Sequence, residues 1–69
     1  MIKYKIDILT ELKKAGFSSY KIRKDKIMGE ATLQQLRNNK LVSWETINII
    51  CNLLHCQPGD ILIHVKDTE

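Results

Sequence analysis

Amide side chains recur between positions 31 and 38 at the spacing of one helical face. Gln34, Gln35 and Asn38 fall on that face together with Ala31, and the leucines of the same segment fall on the opposite face. Each amide offers both a hydrogen-bond donor and an acceptor. In the major groove of DNA, such an amide can bond to both N6 and N7 of adenine, and an alanine methyl can pack on a thymine methyl. The same surface would also suit an ordinary solvated helix, so the spacing alone leaves both interpretations open.

Glu30 is the exception to this uncharged face. It lies at the start of the predicted helix, where the helix dipole favours a carboxylate. A carboxylate at this position can also accept a hydrogen bond from N4 of cytosine. Both a structural and a base-reading role therefore stay open for Glu30.

Groups that suit phosphate flank the amide face. The N-terminus of the preceding predicted helix offers free backbone N–H groups, and the hydroxyls of Ser18, Ser19 and Tyr20 lie beside it. Phosphate contacts fix the register of a protein on DNA, whereas base contacts set the sequence preference. The flanking cationic and amide residues that could reach both strands are Lys21, Lys24, Arg37, Asn38 and Lys40.

The net charge of +3 is unevenly distributed along the chain. Residues 13–40 carry eight basic and two acidic side chains, a net of +6, whereas residues 41–69 carry one basic and four acidic side chains, a net of −3. A localised basic surface attracts a polyanion and orients it. Together with the amide face, this asymmetry favours DNA as the binding partner.

Apolar residues at helical spacing and capping residues predict five helices. Serines suit the N-caps of the second and fourth helices, and Gly16 and Asn39 suit left-handed C-terminal positions of the first and third. The predicted helices run from about Lys5 to Ala15, from Ser18 or Ser19 to Lys24, from Gly29 or Glu30 to Asn38 or Asn39, from Ser43 onwards, and from Gln57 with Pro58 in its first turn.

We therefore expect an all-α fold, a compact five-helix bundle in which the second and third helices form a helix-turn-helix. The chain is expected to be a single domain over residues 1–69, with its core in about residues 5–65. Ile2–Lys5 and Ile61–Val65 favour short extended segments near the two termini, which could pair with each other.

Several short motifs carry a resemblance to a known family: IRK at 22–24, TLQQLR at 32–37, VS at 42–43 and CQPGDIL at 56–62. Over about residues 5–65, the chain resembles helix-turn-helix domains of the Cro and phage-repressor type, also called the xenobiotic-response-element family. It is most similar to the minimal single-domain bacterial regulators of that family.

The resemblance implies a five-helix bundle and sequence-specific binding in the DNA major groove, commonly as a dimer on two half-sites. Carried over by position, it implies base contacts from Glu30, Ala31, Gln34 and Gln35. By the same correspondence, the candidates for phosphate contacts are Ser19, Arg37, Asn38 and Lys40.

Two residues depart from the pattern of this family. Arg23 stands where a small residue is usual, and Ile27 stands where the turn usually has glycine. Because a β-branched residue at positive φ would be an outlier, we expect a turn rebuilt without left-handed geometry, with the second helix extended through Asp25 or Lys26 as one route. The partner of Arg23 stays open among Asp25, Glu30 and a phosphate.

Other kinds of site find little support. No Ser/His/Asp arrangement, glycine-rich phosphate loop or paired-carboxylate pocket can be placed in so short a chain. The spacing of Cys51, His55, Cys56 and His64 is not that of a standard zinc framework. We expect neither an enzyme nor a bound metal or other cofactor.

Trp44 is predicted to lie in the first turn of the fourth helix, where three roles stay open. It could pack on the core, as tryptophans commonly do, anchor a dimer, or contact the DNA backbone.

The sequence thus predicts a cytoplasmic transcriptional regulator that binds double-stranded DNA sequence-specifically, as a homodimer, through a recognition helix at about residues 30–38. No apolar run approaches the roughly 18 residues that span a bilayer, the N-terminus lacks the features of a signal peptide, and no small-molecule effector is indicated. The alternative is a protein-interaction module, antitoxin-like or an adaptor, that uses the acidic C-terminal half and the apolar tail Ile61–Val65.

Overall fold

The computed structural model describes residues 1–67 as five helices and a two-stranded sheet. Within this range, no helix is both long enough and apolar enough to cross a membrane. In chain order the elements are β1 (Ile2–Tyr4), α1 (Ile8–Lys14), α2 (Ser19–Lys24), α3 (Glu30–Arg37), α4 (Trp44–Leu54), α5 (Pro58–Ile61) and β2 (Leu62–His64).

Serine side chains cap the N-termini of α2 and α4, as the sequence predicts. Ser18 Oγ accepts a hydrogen bond from the backbone N–H of Lys21 over 3.2 Å and caps α2. Ser43 Oγ accepts from the N–H of Thr46 over 3.2 Å and caps α4. Each bond satisfies one of the backbone donors that a helix leaves unpaired at its start.

The C-termini of α1 and α3 end in left-handed residues, Gly16 at φ +97° and Asn39 at φ +57°, as predicted. After Asn39, the N–H of Lys40 donates to the carbonyl of Gln35 over 2.8 Å. This bond belongs to the Schellman motif, which satisfies a free carbonyl and reverses the chain direction. Helix α3 therefore ends at Arg37.

The fold is mostly helical, but the all-α prediction is incomplete because the two terminal segments form an antiparallel sheet. Tyr4 pairs with Leu62 and Ile2 pairs with His64, so the suggested pairing of the extended termini is confirmed. A small sheet of this kind ties the first and last elements together.

The first helix begins at Ile8, so the predicted start at Lys5 is wrong. Asp7 accepts a hydrogen bond from the N–H of Thr10 over 3.2 Å and caps α1. Lys5 instead donates its N–H to the carbonyl of Ile61 over 2.8 Å. Because the backbone of Lys5 is hydrogen-bonded to the C-terminal segment, Lys5 lies outside the helix, and α1 begins only after its N-cap, Asp7.

One hydrophobic core lies where the helices meet. Helix α3 contributes the buried side chains of Leu33 and Leu36 to this core. Ile22 of α2 is fully buried in the same cluster, so both helices of the predicted helix-turn-helix pack on one hydrophobic core. Truncating a buried leucine typically costs about 2–5 kcal/mol of stability. The buried apolar residues are Ile8, Leu12, Ile22, Met28, Leu33, Leu36, Ile47, Ile50 and Ile61.

Candidate nucleic-acid interface

The turn between α2 and α3 has left-handed geometry, so the prediction of a turn without it is wrong. Lys26 takes φ +55°, and α2 ends at Lys24 with Asp25 as its C-cap, so the proposed helix extension is wrong. The N–H of Lys26 donates to the carbonyl of Arg23 over 3.1 Å, and the N–H of Ile27 donates to the carbonyl of Ile22 over 2.9 Å. These two bonds make up a Schellman motif.

The motif explains how the turn accommodates Ile27 in place of glycine. The residue at positive φ is Lys26, one position earlier, so Ile27 avoids the conformation that disfavours β-branched side chains. Ile27 is half-buried and packs against the core cluster that contains Ile22. An apolar contact of this kind frequently accompanies a Schellman motif.

The amide face of α3 is open to solvent. Ala31, Gln34, Gln35 and Asn38 are all exposed, as the helical spacing predicts. Among residues 1–67, the side chain of Gln35 makes no hydrogen bond, so both its donor and its acceptor are available to a ligand.

The side chain of Gln34 is less free than that of Gln35. The guanidinium of Arg37 donates to Gln34 Oε1 over 2.8 Å. Asn38 is the C-cap of α3 and donates its backbone N–H to the carbonyl of Gln34 over 3.0 Å. Arg37 therefore orients the amide of Gln34 while its own guanidinium stays near the end of the helix.

Glu30 pairs with Arg23, so of the two carboxylates left open for this arginine the structure has Glu30 as its partner. Arg23 Nε donates to Glu30 Oε1 over 2.6 Å, and Nη2 approaches Oε2 at 3.5 Å. Both side chains are about half-exposed, so water screens the pair. The bridge joins α2 to the first residue of α3 across the turn, and a base contact from Glu30 would have to form beside this guanidinium.

The start of α2 presents the predicted hydroxyl groups at different depths. Ser18 and Ser19 are half-buried, and the Oγ of Ser18 is already engaged as the N-cap. Tyr20 is exposed, and the ammonium of Lys24 lies over its ring at 6.0 Å from the centroid. This distance is at the outer limit of a cation–π contact, so Lys24 stays available to an anion.

The remaining predicted phosphate residues lie at the edges of the two helices. Lys21 pairs with Asp25 over 3.2 Å, one turn further along α2. The side chain of Lys40 is exposed just beyond α3. An exposed pair of the Lys21–Asp25 type contributes little to stability, so Lys21 can exchange its carboxylate partner for a phosphate at small cost.

Tyr4 contacts the C-terminal end of the candidate interface, a contact that the sequence did not predict. Its hydroxyl donates to the main-chain carbonyl of Lys40 over 2.6 Å. Burial raises the pKa of this phenol, which keeps the donating proton in place. The alternation of residues 2–5 predicted a strand, but no sequence signal connects that strand with residue 40.

Cysteines and histidines lie at the end of α4 and beyond it. Within residues 1–67, no group of three or more His, Cys, Asp or Glu residues is placed to hold a metal ion. Cys51 and Cys56 are free thiols. Burial, followed by the neighbouring Cys51, raises the pKa of the Cys56 thiol, so Cys56 is a weaker nucleophile than an ordinary thiol at neutral pH.

Two short helices across a tight turn, the second with an exposed amide face and a basic surround, define a helix-turn-helix DNA-binding domain. A family model for the Cro/C1-type HTH DNA-binding domain matches residues 6–67 of the 69 residues. The chain therefore belongs to the Cro/C1-type HTH DNA-binding family, which confirms the resemblance. No curated protein and no solved structure gives a significant match to the chain.

Proposed function

We propose that this chain regulates transcription by binding double-stranded DNA sequence-specifically, with α3 in the major groove. The observation that carries the proposal is the exposed, uncharged amide face of α3 beside exposed cations. An acidic or apolar outer face would repel the phosphates or leave the base edges unpaired. An amide face can donate to and accept from the base edges in the major groove.

Base reading is assigned to the first two turns of α3. Gln35 is the strongest candidate because its side-chain amide makes no hydrogen bond within the described residues. The amide of Gln34 is oriented by its hydrogen bond from Arg37. Ala31 lies on the same exposed face and offers a methyl group to thymine. Arg23 contacts both carboxylate oxygens of Glu30, but each oxygen keeps a second lone pair that can accept from cytosine N4.

Phosphate contacts are assigned to residues on both sides of this face. Each cation that neutralises a phosphate releases counterions, so binding should weaken steeply as salt rises. Half-buried hydroxyls at the start of α2 can donate to a phosphate that approaches the free N–H groups there. The residues in this set are Ser18, Ser19, Tyr20, Lys21, Lys24, Arg37, Asn38 and Lys40.

A single domain over residues 1–69 would act by occupying its site on DNA in the cytoplasm, with double-stranded DNA as its partner and no small-molecule effector. A homodimer would place the two recognition helices on half-sites about one helical turn apart, roughly 34 Å. Activation and repression are both compatible with such occupancy.

Selection of bound duplexes from a random pool tests this function, followed by binding measurements on a recovered and an unrelated duplex across a salt series. We expect a recovered consensus and binding that falls as salt rises, because phosphate contacts supply much of the affinity. Failure to bind any duplex at low salt would overturn the proposal.

The alternative function, a protein-interaction module, has fewer exposed apolar tail residues available to it than the sequence suggested. The apolar tail Ile61–Val65 is not free, because Ile61 is buried in the core and Leu62 starts β2. Ile63 and Val65 stay exposed. Absence of DNA binding at low salt would bring this alternative back, with those residues as its first candidates.

A further inference from the structure

Helix α4 ends in a left-handed residue, His55, at φ +54°. The N–H of Cys56 donates to the carbonyl of Cys51 over 3.1 Å, which is the outer hydrogen bond of a Schellman motif. This motif brings together the two side chains that lie five positions apart on either side of the left-handed residue. At the end of α4 both positions are cysteines, so the backbone itself places one thiol beside the other.

Two other helices end in the same motif, and they show which side chains these two positions hold elsewhere in the chain. Phe17 donates its N–H to the carbonyl of Leu12 over 2.7 Å, and Ile27 donates to the carbonyl of Ile22 over 2.9 Å. All four side chains are apolar and pack in or against the core cluster. A pair of thiols can fill the same positions as small apolar groups, and it adds a reactivity that hydrocarbon side chains lack.

The two thiols are close enough to influence each other. Burial is the largest cause of the raised pKa of the Cys56 thiol, and the charge and a side-chain hydrogen bond of Cys51 raise it further. The fold therefore does not stabilise the thiolate of Cys56. Dithiols with a stabilised thiolate are the ones that resist oxidation to the disulfide, so this environment does not oppose a disulfide.

A small molecule can approach the pair from solvent. Cys51 and Cys56 are half-buried free thiols, and both line a surface cavity of about 360 Å³. Trp44 lines the same cavity and is 91% exposed, which excludes the core-packing role among the three that the sequence left open for it. The thiols are therefore placed for reaction with a reagent that enters this cavity.

We propose that Cys51 and Cys56 form a modification site, at which a low-molecular-weight disulfide converts the two thiols into an intramolecular disulfide. The site lies at the junction of α4 and α5, outside the proposed DNA-binding surface, so the inference does not rest on the proposed function. In a reducing compartment such as the cytoplasm, disulfides of this kind are transient. The bond is therefore one that forms and is reduced again.

The reaction consists of two thiol–disulfide exchanges. The thiol of Cys51 loses its proton and attacks one sulfur of the small disulfide, which forms a mixed disulfide and releases one thiolate. Cys56 then loses its proton and attacks Sγ of Cys51, which forms the protein disulfide, breaks the mixed disulfide and releases the second thiolate. The protein loses two electrons and two protons, and the small disulfide is reduced to two thiols.

Treatment of the folded full chain with glutathione disulfide tests for this product. Mass spectrometry should find a chain lighter by two hydrogens, and the tryptic peptide 41–66, which contains both cysteines, should carry the loss. Cys51→Ser and Cys56→Ser should each keep a glutathione on the remaining cysteine instead. Glutathione retained on both cysteines of the wild-type chain, or a disulfide between two chains, would overturn the proposal.

A glutathione redox titration of the folded and the urea-unfolded chain measures how strongly the fold favours the bond. The equilibrium constant for disulfide formation should be at least about tenfold larger in the folded chain, because the motif holds the thiols together. A factor of ten corresponds to about 1.4 kcal/mol, so the oxidised chain should melt about 5–10 °C above the reduced chain. Equal constants, or a melting temperature that oxidation does not raise, would overturn the proposal.

Two variants of His55 test whether the left-handed residue is the cause. His55→Gly keeps the left-handed conformation without strain and should leave the folded-state constant unchanged. His55→Val places a β-branched residue at positive φ and should lower the constant several-fold, because the motif opens. Equal constants for the two variants would contradict the role of the motif. If His55→Val does not fold, the comparison of folded and unfolded wild type decides between the outcomes.

Discussion

The hydroxyl of Tyr4 donates a hydrogen bond to the main-chain carbonyl of Lys40 over 2.6 Å and joins the N-terminal strand to the end of α3. The two residues are 36 positions apart in the sequence. Lys40 also donates its N–H to the carbonyl of Gln35, so the same peptide segment is fixed from two directions. Strand β1 therefore helps to position the C-terminal end of the proposed recognition helix.

Tyr4→Phe should lower the free energy of unfolding by about 0.5–1.5 kcal/mol, because it removes this hydrogen bond and keeps the ring. The dependence on pH supplies the matching test. Burial raises the pKa of Tyr4 in the folded state above the ordinary value of about 10 for a tyrosine. The stability linked to this proton is complete below about pH 10 and is lost as pH rises through the folded pKa.

Chemical denaturation between pH 7 and pH 11 measures both effects. The wild-type chain should lose more stability above pH 10 than Tyr4→Phe, which has no phenol to ionise. Tyr20→Phe is the control, because Tyr20 is exposed and makes no such bond within the described residues. Parallel alkaline profiles for wild type and Tyr4→Phe would contradict this account.

Glycine should act in opposite directions at the two neighbouring positions of the turn. Lys26→Gly should stabilise the fold by about 0.5–1 kcal/mol, since Lys26 takes φ +55° and glycine adopts that conformation without a side-chain clash. Ile27→Gly should destabilise it by about 1–2 kcal/mol, because a half-buried apolar side chain is lost. Thermal unfolding of both variants measures the change in stability. If Ile27→Gly stabilised the fold, the left-handed position of the turn would be residue 27 and not Lys26.

The Arg23–Glu30 bridge should couple the two helices only weakly. Both groups are about half-exposed, and exposed pairs contribute about 0.2–1 kcal/mol. A double-mutant cycle with Arg23→Ala and Glu30→Ala should return a coupling energy in that range. The Lys14–Glu11 pair of α1 provides a comparison, since its atoms are 3.5 Å apart and it spans no turn. If the coupling energy of Arg23 and Glu30 did not exceed that of Lys14 and Glu11, the Arg23–Glu30 pair would not help to hold α2 and α3 together.

Gln35→Ala should weaken binding to the selected duplex far more than binding to an unrelated duplex. A bidentate amide–adenine pair is worth about 1–3 kcal/mol of discrimination, which corresponds to roughly fivefold to 150-fold. Asn52→Ala is the matched control, because it removes an exposed amide from α4, away from the proposed interface. Equal losses on the two duplexes would remove Gln35 from the base-reading set.

Lys40→Ala should weaken binding to both duplexes and reduce the slope of log affinity against log salt by about one unit. The backbone carbonyl of Lys40 remains in the variant, so the bond from Tyr4 is preserved. Lys66→Ala removes an exposed cation near the other end of the chain and should leave the slope unchanged. If the Lys40 variant keeps the wild-type slope, Lys40 makes no phosphate contact.

Local features were predictable because they depend on residues a few positions apart. Helical spacing placed Leu33 and Leu36 inward and Gln34 and Gln35 outward, and the structure has them so. The N-cap at Ser43 follows from a hydroxyl that needs to reach only three residues ahead. Motifs on these elements were also sufficient to identify the family.

The tertiary structure alone decided the features that join distant parts of the chain. Three acceptors were open to Arg23, and only the angle between α2 and α3 brings Glu30 within reach. The Tyr4–Lys40 bond and the exposure of Trp44 depend on how β1, the end of α3 and α4 meet. Sequence determines local geometry through short-range sterics and hydrogen bonds, whereas the partner of a long side chain depends on packing across the whole core.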